Sequence, residues 1–428
     1  MKRKLIKLYT VLFILVALVA AYAVFQNGQG DQDAERQQVS SEQNENDPES
    51  IEDSTEEAEK RVEDSETENG TEEEEQTEKR DDPLLTADVE EMDIDEKINY
   101  LLNEMTLEEK IGQMLVIGFP SPTVDEHVKQ MIEDYHVGGI ILYDRNMENP
   151  DQVNELNQEL QDLADIPLFI SVDQEGGDIV RLRDHVSEIP SQQELGEAGN
   201  GEQVYETARQ TGKELKEMGF NVNYAPVLDL SSTDTRSFGE DPELAYQLGK
   251  NVIQGLADEQ ITATVKHFPG NGRTEIDPHV ESATVDADKL DLENKDIYPF
   301  RKMIEEVDHD DFFVMVTHLI YPAYDDTYPA SVSSAIITDL LREELGYEGL
   351  VVTDDLEMGA VTDLYSFEEL GYQSVKAGAD VLLVCHTLES QKQVFQGILQ
   401  AVQNGDLSED EMDDSVERIL RFKFEQNL

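Results

Sequence analysis

Gly349–Asp355 reads GLVVTDD, a short apolar run that ends in two carboxylates. A run that is continuous rather than alternating is the pattern of a parallel strand buried on both faces. Seven similar runs can be read outward from it: Met114–Phe119, Gly138–Tyr143, Pro167–Asp173, Asn221–Asp229, Thr262–Phe268, Phe312–His318 and Val381–His386. Between most of them lie segments with helical spacing, such as Val153, Leu156, Leu160 and Leu163. Thr106 with Glu109, and Ser408 with Glu411, have capping-box spacing, the second ahead of an apolar stripe at Met412, Val416, Ile419 and Leu420. Eight strand–helix alternations predict an α/β fold, a single (β/α)8 TIM-type barrel over residues 93–428. No long stretch follows the eighth helix to form a second folded domain.

Two segments precede the barrel. Residues 1–25 open with Lys2, Arg3, Lys4 and Lys7 and continue as an apolar stretch from Leu8 to Phe25, about long enough to cross a bilayer. Ala21-Tyr22-Ala23 also resembles a small-x-small cleavage site, so both a membrane anchor through residues 8–25 and a cleaved signal peptide fit. Either one sends the rest of the chain outside the cytoplasm, because the positive charges stay inside. Residues 26–92 are rich in Glu, Gln, Ser, Asn and Thr and hold too few large apolar groups to offset chain entropy; they read as a disordered acidic linker. The whole chain carries 96 Asp and Glu against 32 Lys and Arg, a formal charge of −64. Such a field repels phosphate backbones and excludes nucleic acid as a partner. The one cysteine, Cys385, excludes an internal disulfide framework and any Cys-rich metal site.

In a (β/α) barrel the active site is built at the carboxyl ends of the strands, and here those ends carry convergent chemistry. The third run ends in Asp173-Gln174-Glu175-Gly176-Gly177, and the fourth in Asp229, ahead of Arg236. The fifth ends in Lys266-His267, the sixth in Thr317-His318 and the seventh in Thr353-Asp354-Asp355. Ionisable groups at so many strand ends would be costly in a core that served only packing. The chain has no H-E-x-x-H, no Walker loop and no G-x-S-x-G elbow. Several Asp, a Lys-His pair and an Arg suit a hydroxyl-rich ligand. A glycosidase fits this inventory best, although acid–base isomerases use similar groups.

The ordered motifs MTLEEKIGQM (Met105–Met114), DQEGG (Asp173–Gly177), YAPVLD (Tyr224–Asp229), RSFG (Arg236–Gly239), KHFPGNG (Lys266–Gly272), Asp277-Pro278-His279 and VVTDDLEMG (Val351–Gly359) resemble glycoside hydrolase family 3. The likeness is to its β-N-acetylhexosaminidase, NagZ-type branch, and covers about residues 92–428. It implies Asp354 as the nucleophile of a glycosyl-enzyme intermediate, His279 as general acid/base and Asp277 as its partner. Pro278 biases Asp277 towards an extended conformation, in which residues two apart point to one side. Sugar recognition is implied for Asp173, Arg236, Lys266 and His267, with His318 a further candidate. Neither a metal nor a cofactor is implied.

The sequence departs from the pattern at Asn271, where relatives often have His, and at Asp178, where an Arg often follows DQEGG; both bear on loop geometry and aglycone preference. The expected protein is thus an extracytoplasmic, monomeric, retaining exo-β-N-acetylglucosaminidase. Its carbohydrate substrates would be N-acetylglucosamine-terminated peptidoglycan fragments, in wall turnover, or chitooligosaccharides. A phosphorylase of the same branch and a non-catalytic wall-binding module are the alternatives.

Overall fold

The computed structural model describes residues 84–86, 89, 91–274 and 283–428. Residues Glu78–Leu428 form one compact unit. The apolar segment 8–25 and nearly all of the acidic linker lie outside the described residues; among those described, no helix is long and apolar enough to cross a membrane.

Each of the eight apolar runs contains a parallel strand. In chain order these are β1 (Leu115–Ile117), β2 (Gly139–Ile141), β3 (Phe169–Val172), β4 (Val222–Asn223), β5 (Ala263–Phe268) and β6 (Phe312–Val316), then β9 (Val351–Thr353) and β10 (Leu382–Val384). Between β6 and β9 stands an antiparallel hairpin absent from the sequence reading, β7 (Ile320–Tyr321) with β8 (Asp325–Pro329). The two capping boxes form as expected, with Glu109 N–H on Thr106 Oγ1 and Glu411 N–H on Ser408 Oγ.

The closed barrel ladder is where expectation and structure part. The strands make a five-stranded sheet ordered β10-β1-β2-β3-β4 and a three-stranded sheet β5-β6-β9. Between the two sheets the pairing is irregular, with backbone hydrogen bonds and isolated parallel bridges, Val222↔Thr262 and Val227↔Lys266 at one seam and Val352↔Val381 at the other, in place of a regular ladder. Each seam has a local cause. At the first, β4 is two residues long and is followed by Pro226, which has no N–H to give to a ladder. At the second, the Leu383 N–H donates to the side-chain hydroxyl of Thr353, 3.2 Å away.

The base of the sheets is sealed by the last helix, Glu409–Glu425. Phe422 packs on Phe313 and Phe169, with ring centroids 4.8 and 6.0 Å apart. Asp380, fully buried, accepts from Arg418 Nε at 2.9 Å, Ser415 Oγ at 2.9 Å and the Val351 N–H at 2.8 Å, and also pairs with Arg342. It therefore ties the last helix to the start of β9. Lys423 of the same helix is buried without a carboxylate. Its Nζ donates to Gln113 Oε1 and Gly138 O, both at 2.9 Å, and lies 4.7 Å from the Phe169 ring centroid.

Burial pushes the Lys423 ammonium down to about 7. From there up to its ordinary value of 10.5 the unfolded chain holds a proton that the folded chain does not, so stability rises with pH across that window; below it the full cost of the buried charge remains. Lys423→Met should therefore raise the thermal midpoint near pH 6.5, and the gain should shrink towards about pH 10. A midpoint difference that does not change with pH would contradict a buried charge at this position.

Candidate active site

The site is assembled from the carboxyl ends of β3 to β6, β9 and β10. Asp173 directly follows β3, and Glu175, two residues on, lies on the same side of the extended chain. The β5–β6 register shifts between Val265 and Phe268, and this irregular step carries Lys266 and His267. Lys266 Nζ, on a side chain 3% exposed, is shared by Asp173 Oδ1 at 2.7 Å and Glu175 Oε1 at 2.6 Å. Glu175 in turn takes both arms of Arg236, Nε to Oε2 at 2.7 Å and Nη2 to Oε1 at 2.9 Å, the fork geometry that suits a carboxylate. Burial alone would raise the Glu175 carboxyl; Lys266 and Arg236 outweigh it and bring it down to about 2. Burial would likewise lower the Lys266 ammonium, but Asp173 and Glu175 hold it above its ordinary value.

A second carboxylate organises the neighbouring strand ends. Asp229, buried after β4, meets His267 Nδ1 at 2.6 Å through Oδ2, while Oδ1 accepts the backbone N–H groups of Asn271 at 2.6 Å and His267 at 3.2 Å. A carboxylate only accepts, so Nδ1 carries the proton and Nε2 is the free nitrogen of His267. Asp354, partly exposed just after β9, takes the Asp355 N–H on Oδ1 at 2.9 Å, and its own N–H donates to Val316 O. Burial works to raise the Asp354 carboxyl. His267, His318, the Asp355 N–H and Lys266 together hold it below the ordinary aspartate value.

Asp173, Arg236 and Lys266 are thus joined in one ion-pair cluster through Glu175, and Lys266 and His267 both act on Asp354. His318 stands apart. Its Nε2 donates to the Asp355 carbonyl and its Nδ1 accepts from Ser331 Oγ, both at 2.8 Å, and burial lowers its pKa. One ring nitrogen thus holds the turn that carries Asp354 and the other the segment just after the β7–β8 hairpin. Asp277 and His279 lie outside the described residues, but both roots of their segment are fixed. On one side the Asn271 N–H is held by Asp229, and a Cβ on Gly272 would meet Leu230 O at 2.0 Å, so only glycine fits. On the other, Ile320 of β7 donates to Ala283 O and accepts from the Val285 N–H.

The sequence reading quoted Glu175 and Asp229 without giving them a role. For Glu175 the period-two spacing from Asp173 was an available signal. Among the described residues no group of three His, Cys, Asp or Glu side chains is placed to hold a metal ion.

Residues 106–422 match the family model described as glycosyl hydrolase family 3 N terminal domain, and the chain belongs to that family of glycoside hydrolases. A beta-hexosaminidase from Nitrosomonas eutropha is 36% identical over 295 residues, 66% of this chain and 84% of that protein. Beta-hexosaminidase A from Pseudoalteromonas piscicida is 29% identical over 367 residues, 74% of this chain and 61% of that one. Among solved structures, a family 3 beta-N-acetylglucosaminidase from a Paenibacillus species superimposes with a TM-score of 0.73 at 40% identity, covering 76% of this chain and 63% of that chain. This chain therefore spans less than two thirds of the Pseudoalteromonas and Paenibacillus proteins.

Removing one partner of a buried ion pair costs about 3–5 kcal/mol, because it strands the other charge. Glu175→Gln should lower stability to denaturant by about 3 kcal/mol and reduce kcat/KM for a glycoside substrate. Wild-type stability in this variant would show that Lys266 and Arg236 do not depend on Glu175.

Proposed function

We propose that this chain is a retaining exo-β-N-acetylglucosaminidase that removes terminal β-linked N-acetylglucosamine from peptidoglycan fragments or chitooligosaccharides outside the cytoplasm. The observation that carries the reading is Asp354: a partly exposed carboxylate at a strand end, kept ionised by the groups around it, beside cations and hydroxyl-binding carboxylates. In the first step its oxygen attacks the anomeric carbon, the glycosidic C–O bond breaks, and the leaving oxygen takes a proton from His279, which Asp277 orients. In the second, His279 removes a proton from water, water attacks the same carbon and Asp354 departs. Two inversions give net retention. The relatives named beta-hexosaminidase and beta-N-acetylglucosaminidase support the choice of sugar. The N-terminal apolar segment, read as an anchor or signal, supports an extracytoplasmic setting.

The test is turnover of chromogenic N-acetylglucosaminide beside the glucoside, with the released sugar followed by NMR in the presence and absence of phosphate. Cleavage of the N-acetylglucosaminide should release the β-anomer first and form no sugar phosphate. First release of the α-anomer would overturn retention, sugar 1-phosphate would make the chain a phosphorylase, and activity on the glucoside alone would overturn the choice of sugar.

A further inference from the structure

A second Asp–His pair stands at the mouth of the site, 31 residues apart in sequence and unused by the mechanism above. His386 directly follows the apolar run of β10. Its Nε2 lies 3.2 Å from Asp355 Oδ2, with the His386 side chain 48% exposed and that of Asp355 13%. The other oxygen of Asp355 accepts the N–H groups of Glu357 and Cys385, both at 3.1 Å, so this carboxylate is fixed on all sides. The far face of the pair is a wall built on Tyr143. The His386 ring rests against the Tyr143 ring with centroids 5.4 Å apart. The guanidinium groups of Arg145 and Arg181 lie 4.5 and 5.4 Å from the same ring.

Burial raises the Tyr143 hydroxyl pKa, and the neighbouring Cys385, Asp173 and Asp355 add to the rise. Asp173 is also the carboxylate that grips Lys266. Because Asp355 is an acceptor, it fixes the proton on Nε2, and no described residue is bonded to Nδ1. A ring held on one edge and one face, and open on the other nitrogen, is preorganised to meet a ligand.

We propose that His386, oriented by Asp355 and Tyr143, is a substrate-binding residue that contacts an oxygen of the bound sugar through Nδ1. This rests on the glycosidase reading of the site. Charged groups acting on the ring are Asp355 and Glu357 from the turn after β9 and Arg145 from the loop after β2. Hydrogen bonding to Asp355 comes first among the causes that raise the imidazole pKa; burial and Arg145 oppose it. In the charged form Nδ1–H donates to a sugar oxygen. When the proton leaves, Nε2–H stays on Asp355 and Nδ1 becomes an acceptor, so sugar affinity falls as pH climbs through the His386 titration.

The two nitrogens can be separated by substitution in the full chain, because a Gln amide reaches the position of Nε2 while an Asn amide takes that of Nδ1. His386→Gln keeps the Asp355 contact and should raise KM about tenfold, the size expected for losing one charge-assisted hydrogen bond. His386→Asn should recover part of that loss, and the rise of wild-type KM with pH should be absent in His386→Gln. A Gln variant with wild-type KM beside an Asn variant impaired in kcat would overturn the proposal and make His386 a support for Asp355 alone. The comparison uses whichever glycoside the wild type turns over, so an error in the choice of sugar shows in the wild type and an error about His386 shows only in the variants.

Discussion

A buried ammonium keeps its charge well above neutral pH only where carboxylates offset its desolvation; Lys423, which has none, does not, and Lys266, 3% exposed, imposes that constraint on this site. Asp173 and Glu175 meet it from one extended segment after β3. Glu175, itself buried, then requires a second cation, and Arg236 supplies it by bringing the loop after β4 back towards β3. Two cations and two carboxylates leave the cluster electrically balanced, so it adds no net negative charge beside Asp354. The balance matters because the chain as a whole carries −64. A nucleophilic carboxylate in an uncompensated acidic field would be driven towards its protonated, inactive form.

The same logic explains the division of labour among the histidines. His267 is held by a carboxylate, Asp229, and keeps a free nitrogen beside Asp354. His318 spends one nitrogen on the turn after β9 and the other on Ser331. Asp229 also holds the Asn271 N–H, so one side chain sets the His267 imidazole and the start of the segment that carries Asp277 and His279. The hairpin β7–β8 closes this frame: Ile320 pairs with the far root of that segment, and Ser331 just beyond the hairpin fixes His318. Asp354 and the two roots of the segment that holds Asp277 and His279 are therefore supported by a shared set of strand ends.

Much of this frame was legible in the sequence. The eight strands were, because strands buried on both faces leave continuous apolar runs such as Phe312–Val316, and the capping boxes were, because their partners lie three residues apart. Asp173, Lys266, His267 and Asp354 stand out as polar residues ending apolar runs, whereas Arg236 lies further along a loop, and the roles of all five come from the family resemblance. The break in the ladder could not be read, since it turns on a missing N–H at Pro226 and on whether Leu383 bonds a backbone oxygen or the Thr353 hydroxyl. Nor could the hairpin, where β7 is two residues long and β8 reads DDTYP without apolar alternation. The Asp355–His386 pair joins residues from different strand ends, and no local spacing announces it. His318 was visible as a strand-end histidine, but its commitment to Ser331 and the Asp355 carbonyl is a fact of packing.

The central claim is that Asp354 is an ionised nucleophile whose charge is maintained by this network. It is tested most directly by inactivating the enzyme with a slow-turnover, ring-fluorinated N-acetylglucosaminide, mapping the labelled peptide and following the labelling rate against pH. The label should fall on Asp354, and labelling should fail only below the ordinary aspartate range. A label on Asp355 or Asp173, or turnover without any covalent adduct, would contradict the account.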